Sequence, residues 1–253
     1  MRLTVLASGS AGNGYVLEGR TSALIIECGV SPECMIRATD FPMSKVAGCL
    51  VSHEHGDHAA YVARYAEMGL PVYMSEGTAK AVMMKERRIC AWGVLPLAPM
   101  AARAVGEWVV KPFPVSHDAA EPMGFIIEHE EMGSLLFVTD AAVVPYRFRN
   151  QHLDHIMVEA NYDDGILDGN VVEGRIDGRR AARVRDTHMS LRAACELVTE
   201  CETPALKTVT LLHLSDHNAD SAMFAERMER SVLLARVRVA KAGMTFEINR
   251  TDI

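Results

Sequence analysis

Short apolar runs, each closed by glycine or polar residues, recur along the chain and set its expected elements. Strands are predicted over residues 2–7, 15–18 and 23–27, the last two joined by the hairpin connection Gly19-Arg20-Thr21-Ser22. Further strands are predicted over 46–51, 71–74, 106–115, 124–130, 134–139, 154–159, 207–212, 236–240 and 244–248. Helical spacing marks residues 31–40 behind the cap Ser31, 57–68 ending at Gly69, and 78–88 after Gly77. It returns over 190–201 behind Ser190 and over 220–234. Residues 89–103 predict a strand with loops, and the polar, glycine-rich stretch 161–187 breaks the pattern.

Strands alternating with helices at both ends, and antiparallel strands between them, suit two packed sheets with helices outside, an αββα four-layer sandwich of the α/β class. The expected organisation is one domain over residues 1–253, and no internal repeat is visible. An apolar fraction of 49 % with 23 % charged residues is that of an ordinary globular protein with a sizeable core. No apolar run is long enough to span a bilayer, so no membrane partner is expected. The apolar N-terminal stretch is too short for a secretory signal, which makes the cytoplasm the expected location. Six cysteines form no C-x-x-C pair, and most read as buried thiols. The net charge of −7 argues mildly against a general nucleic-acid binder, although it describes an average surface and not a groove.

The chemistry concentrates behind the apolar run 46–51, in His53-Glu54-His55-Gly56-Asp57-His58. Crowding titratable groups at the end of a buried strand is costly unless something satisfies them, and a metal cation is the usual partner. His53 and His55 alternate as on an extended segment and can converge on one ion. Gly56 then lets the chain fold back and aim Asp57 and His58 at a second.

The pattern His53-x-His55-x-Asp57-His58 resembles the signature of the metallo-β-lactamase superfamily of metallohydrolases. That family carries a further lone His, an Asp and a distal His at strand ends, matched here by His117, Asp140 and His213. The resemblance implies the αββα sandwich and two divalent metal ions. His53, His55 and His117 would hold one ion, Asp57, His58 and His213 the other, with Asp140 bridging. Such ions, about 3.5–4 Å apart, share a hydroxide at neutral pH and polarise a phosphoryl or acyl oxygen. A mixed nitrogen and oxygen donor set without thiolate suits Zn²⁺ or Mn²⁺ alike.

Ser8-Gly9-Ser10-x-Gly12-Asn13 and the segment from His117 to Phe125 resemble the YycJ/WalJ-type nuclease branch of that family. By that resemblance Ser10 and Asn13 offer their side chains to a phosphate. Glu27 stands where the family usually has an Asp buttressing a metal-binding His, and it reads equally as a support or as a solvent-facing strand end. His188 lies ahead of the helix capped by Ser190, and the resemblance to phosphodiesterases of the family implies that it contacts the scissile phosphate or protonates the leaving oxygen. It joins Asp57 as a catalytic candidate. His217 and Asn218 lie at loop distance from His213 as substrate candidates.

Six arginines (Arg175, Arg179, Arg180, Arg183, Arg185, Arg192) face three acids between positions 173 and 192. Arg179, Arg180 and Arg183 are the candidates for contact with a polyanion, against the alternative of a solvated helical face. The expected function is therefore a dinuclear phosphodiesterase, an exonuclease-like enzyme on DNA. A thioesterase of glyoxalase II type is the alternative, and a non-catalytic metal-binding scaffold a third reading.

Overall fold

In the computed structural model the described residues are 1–39, 41–85, 93–149 and 151–250. The expected helix ends at residue 40 and at 86–88, and the start of the 89–103 stretch, lie outside them. The strands are β1 (Arg2–Ala7), β2 (Gly14–Glu18), β3 (Ala23–Ile26), β4 (Val46–Leu50), β5 (Val72–Met74), β6 (Val94–Pro96), β7 (Arg103–Val105), β8 (Trp108–Pro114), β9 (Met123–His129), β10 (Gly133–Val138), β11 (His155–Glu159), β12 (Thr208–Leu212), β13 (Arg236–Val239) and β14 (Thr245–Glu247). The helices are α1 (Pro32–Ala38), α2 (Gly56–Ala59), α3 (Val62–Glu67), α4 (Glu76–Lys85), α5 (Asp164–Val172), α6 (Gly178–Thr187), α7 (Leu191–Cys201) and α8 (Ser221–Glu229). Among the described residues the strands form two seven-stranded mixed sheets, ordered β14-β1-β2-β3-β4-β5-β6 and β13-β12-β11-β10-β9-β8-β7.

The chain divides into two compact units, Met1–Pro114 with Ala119–Gly133 and Lys241–Ile253, and Val115–Asp118 with Ser134–Ala240. In the first, β1, β2 and β3 pair antiparallel, while β3 to β6 run parallel. Parallel strands are covered on both faces, which is why β3 and β4 read as nearly continuous apolar runs. Ile25, Cys49, Val51, Val62, Tyr65 and Val72 share the core on which α3 packs. In the second unit β10, β11, β12 and β13 are all parallel, with α7 against β11 and α8 against β13. Ser31, Ser190 and Asp220 cap α1, α7 and α8 as their positions predict.

Four local expectations change. The helix over 57–68 is broken into α2 and α3, because the Tyr61 N–H donates to the Cys28 carbonyl at 2.9 Å and leaves the helical ladder. Residues 161–187 are not irregular. Asp163 accepts from the N–H groups of Gly165 and Ile166, and Asp177 from those of Arg179 and Arg180, so each starts a helix, α5 and α6. A small core of Tyr162, Leu167 and Ala181 holds the pair together. His188 is consequently the C-cap of α6, its N–H bonded to the Val184 carbonyl, as well as lying two residues before the cap of α7. Finally, β7 forms a hairpin with β8 around Gly106, whose φ of 59° suits the turn.

Candidate metal centre

In the first unit, β4 leads through Val51 and Ser52 to His53, which is buried to 1 % exposure. His55 is the N-cap of α2, with extended dihedrals that end the strand-like run, and Asp57 and His58 lie in the helix that Gly56 opens. The rings of His53 and His55 meet edge to face at 4.7 Å, and those of His53 and His58 are 4.2 Å apart. The Asp57 Oδ2 is 3.3 Å from the His58 Nε2. Gly29 makes this fold possible, since a Cβ there would sit 1.7 Å from the Asp57 carbonyl oxygen.

Partners fix the far side of these rings. The His53 Nδ1 is 2.9 Å from the Ser52 hydroxyl, and the His58 Nδ1 is 3.5 Å from the Glu27 carboxylate. Glu27 is 1 % exposed and also accepts the Ser52 N–H at 3.3 Å, so it is a buried support of His58 and not a solvent-facing strand end. The backbone at Glu27 holds a φ of 67°. Asn13 departs from expectation. Its side chain is fully buried, exchanges hydrogen bonds with the Gly9 backbone, and places its amide 3.0 Å from the His58 Nε2. Its backbone N–H donates to the Asp57 carbonyl at 2.7 Å. Asn13 therefore ties the glycine turn to the histidine cluster, with no amide left to face a phosphate. Ser10, in the same turn, is exposed.

The second unit assembles His117, Asp140, His188 and His213 with a carboxylate that the sequence reading passed over, Glu159. His117 donates from Nδ1 to the Thr187 carbonyl at 2.7 Å, which leaves Nε2 as its acceptor atom. Asp140 Oδ2 is 3.8 Å from the His117 Nε2 and 3.8 Å from the His188 Nδ1, and its Oδ1 is 3.7 Å from the His213 Nε2. The fully buried Glu159 bonds the His188 Nδ1 through Oε1 at 2.7 Å, and its Oε2 accepts the N–H groups of Ala141 and Met189 at 3.0 Å each. The same Oε1 lies 3.5 Å from the His213 Nδ1, beside which Asn161 donates to the His213 carbonyl at 2.9 Å. Asp140, Glu159, His188 and His213 together bring one potential ligand atom each to within 4.8 Å of one another. Glu159 ends the apolar strand β11 much as Asp140 follows β10, and that shared position was the available signal.

These donors fit a metal. Two atoms each about 2.1 Å from one tetrahedral ion lie roughly 3.4 Å apart. The Asp140–imidazole separations are close to that, and too long for hydrogen bonds. The Nδ1 atoms of His53 and His117 face protein partners, which directs Nε2 to a ligand, as supporting groups do around metal-binding histidines. Glu27, Asp140 and His213 also hold left-handed backbone φ values of 67°, 41° and 52° within two residues of their strand ends. Such conformations are costly for residues other than glycine and gather at functional sites.

The charges are polarised within the second unit. Burial lowers the pKa of His117, outweighing the pull of Asp140, so its imidazole stays neutral and able to bind a cation. For His188 burial also acts downward, but the Glu159 charge and hydrogen bond, with Asp140, carry its pKa above the ordinary histidine value. Burial would raise Glu159, yet His188 beside it holds the carboxyl below its usual range. Each shift favours the charged form of its group, because the other stands 2.7 Å away.

The remaining candidates divide. His217 is exposed and Asn218 is buried, its side chain accepting from Asn170 at 2.9 Å, so Asn218 braces α5 and does not face solvent. Arg179, Arg180 and Arg183 are exposed on one side of α6. Arg183 is bonded to Asp118, while Arg179 and Arg180 make no ion pair among the described residues.

The sequence profile of the β-lactamase superfamily domain matches residues 24–214. The exodeoxyribonuclease YycJ of Bacillus anthracis is 29 % identical over 259 residues, covering 100 % of this chain and 96 % of its own. The exodeoxyribonuclease WalJ of Streptococcus pneumoniae is 25 % identical over 266 residues, covering 99 % of this chain and 94 % of its own. Among solved structures, the metallo-β-lactamase fold protein YhfI of Bacillus subtilis superposes with a TM-score of 0.72 at 17 % identity, over 97 % of this chain and 99 % of that one.

Proposed function

The chain belongs to the metallo-β-lactamase superfamily and is a metal-dependent hydrolase; from that premise we propose that it is a dinuclear phosphodiesterase, an exonuclease acting on DNA in the cytoplasm as a single catalytic domain. His53, His55 and His117 hold one divalent ion, Asp57, His58 and His213 the other, and Asp140 serves both, with Zn²⁺ or Mn²⁺ suiting this donor set. Two bound ions supply Lewis acidity and lower the pKa of water.

The chain's own residues do the rest. Thr139 donates to the Asp140 Oδ1 at 2.8 Å and fixes the carboxylate that serves both ions. Glu159 holds the Nδ1 edge of His188, so the Nε2–H is the proton available to a leaving oxygen. The observation that carries the phosphodiester reading is the 2.7 Å contact between the fully buried Glu159 and His188, a candidate acid that is not needed among the seven metal ligands. The relatives named as exodeoxyribonucleases support DNA as the substrate. The arginine face of α6 meets the polyanion, because guanidinium forks match phosphate oxygens.

Neutralising Arg179, Arg180 and Arg183 together tests that reading. Binding of a single-stranded oligonucleotide is expected to weaken and its log–log salt slope to fall by roughly 0.7–0.9 for each phosphate contact removed. The kcat/KM for bis-p-nitrophenyl phosphate should fall far less than that for the oligonucleotide. An unchanged salt slope would assign the three arginines to a solvated face.

A further inference from the structure

Arg183 differs from its neighbours in the arginine segment by what it is attached to. Its Nε and Nη2 both donate to the Asp118 Oδ2, at 3.1 Å and 2.9 Å. The other oxygen of Asp118, Oδ1, lies 3.3 Å from the His117 Nε2. α6 is held a second time by the preceding residue, since His117 donates to the Thr187 carbonyl at 2.7 Å, and within the helix the Thr187 hydroxyl donates to the Arg183 carbonyl at 2.8 Å. Arg185 is turned the other way, to Asp164 and Asp168, and Arg175 to Glu173. One guanidinium of the segment is thus registered, by side chain and by backbone, to a metal-ligand candidate.

The way Asp118 holds Arg183 leaves it usable. Only the Nε–Nη2 edge is engaged, and Nη1 makes no hydrogen bond among the described residues. The Arg183 side chain is 69 % exposed. A guanidinium fixed by one edge and open at the other is preorganised to receive a second anion, and loses less freedom in doing so than an arginine swinging in solvent. Thr187 and Arg183 are one helical turn apart, a rise of about 6 Å, comparable with the separation of neighbouring phosphates along one strand.

We propose that Arg183, oriented by Asp118, receives a non-scissile phosphate next to the one being cleaved, and so selects a polynucleotide over an isolated phosphodiester. Arg183 is the specificity-determining residue, and Asp118 is a positioning residue that acts through it. The inference rests on the phosphodiesterase reading above.

The sign of one substitution separates this role from a simple charge effect. Asp118→Asn removes a negative charge beside the substrate path, so general electrostatics predicts tighter binding of DNA. Loss of an oriented arginine predicts weaker binding. The metal-loaded protein and its Asp118→Asn, Asp118→Glu, Arg183→Ala and double Asp118→Asn/Arg183→Ala variants would be assayed on a single-stranded oligonucleotide and on bis-p-nitrophenyl phosphate. We expect Arg183→Ala to raise KM for the oligonucleotide roughly tenfold, the effect of losing a hydrogen bond to a charged group. Asp118→Asn should raise KM in the same direction, Asp118→Glu should restore part of the loss, and the double variant should be no worse than Arg183→Ala alone. A lower oligonucleotide KM in Asp118→Asn would overturn the proposal, as would additive losses in the double variant. Equal losses on both substrates would also overturn it, because Asp118 would then serve His117. If the wild type cleaves neither substrate, the phosphodiesterase reading itself falls and this inference with it.

Discussion

Replacing Asp140 by alanine strips the protein of at least one divalent ion and lowers hydrolysis by more than about 100-fold, beyond the loss usual for a group that only supports a ligand. The reason lies in where the carboxylate sits. Its two oxygens are 3.7–3.8 Å from nitrogens of His117, His188 and His213, and Thr139 fixes the Oδ1. Removing it takes away the one carboxylate that stands among the nitrogens of all three imidazoles. The φ of 41° at this position complicates an alanine variant, which strains there. Asparagine tolerates the left-handed region, so Asp140→Asn separates the charge from the backbone. We expect Asp140→Asn to fold as the wild type does and still to lose metal, measured by elemental analysis after dialysis against metal-free buffer. Full metal content in Asp140→Asn would remove Asp140 from the centre.

His188→Ala should leave metal content and fold intact while slowing DNA cleavage by about 10²–10⁴, the range for general acid catalysis. An alkoxide is a poor leaving group and gains from the Nε2 proton. The Glu159 carboxylate, 2.7 Å from Nδ1, raises the pKa of that imidazole against the effect of burial. A p-nitrophenolate leaving group needs the proton much less, so hydrolysis of bis-p-nitrophenyl phosphate should fall by a far smaller factor. Equal losses on both substrates would mean that His188 positions the phosphate and donates no proton. No loss on either would make it a bystander.

What could be read from the sequence, and what could not, follows from how far each feature depends on distant parts of the chain. His53, His55, Asp57 and His58 stand out because they terminate a continuous apolar run, a local signal. Asp140 and His213 share it, each beyond a strand of buried residues. Glu159 occupies the same kind of position at the end of β11, but a strand-ending Glu is ordinary until its partners Ala141, Met189 and His188 are known. α5 and α6 were hidden because their apolar contacts are few and drawn from residues as far apart as Tyr162 and Ala181. Their helix starts are nevertheless announced by Asp163 and Asp177. The break between α2 and α3 has no local cause, since it depends on a hydrogen bond from Tyr61 to Cys28. Asn13 shows the same limit from the other side: the wording of the glycine turn is identical whether the amide faces a phosphate or, as it does, the Gly9 backbone and His58.

The account is tested most directly by giving one preparation three classes of ester. The protein would be treated with chelator, reconstituted with Mn²⁺ or Zn²⁺, and its bound metal counted. It would then be offered end-labelled single- and double-stranded DNA and RNA beside an acyl thioester. The account predicts two ions per chain, release of nucleotides from DNA only after reconstitution, and no comparable turnover of the thioester. One ion or none at full activity, or thioester hydrolysis without any cleavage of nucleic acid, would contradict it.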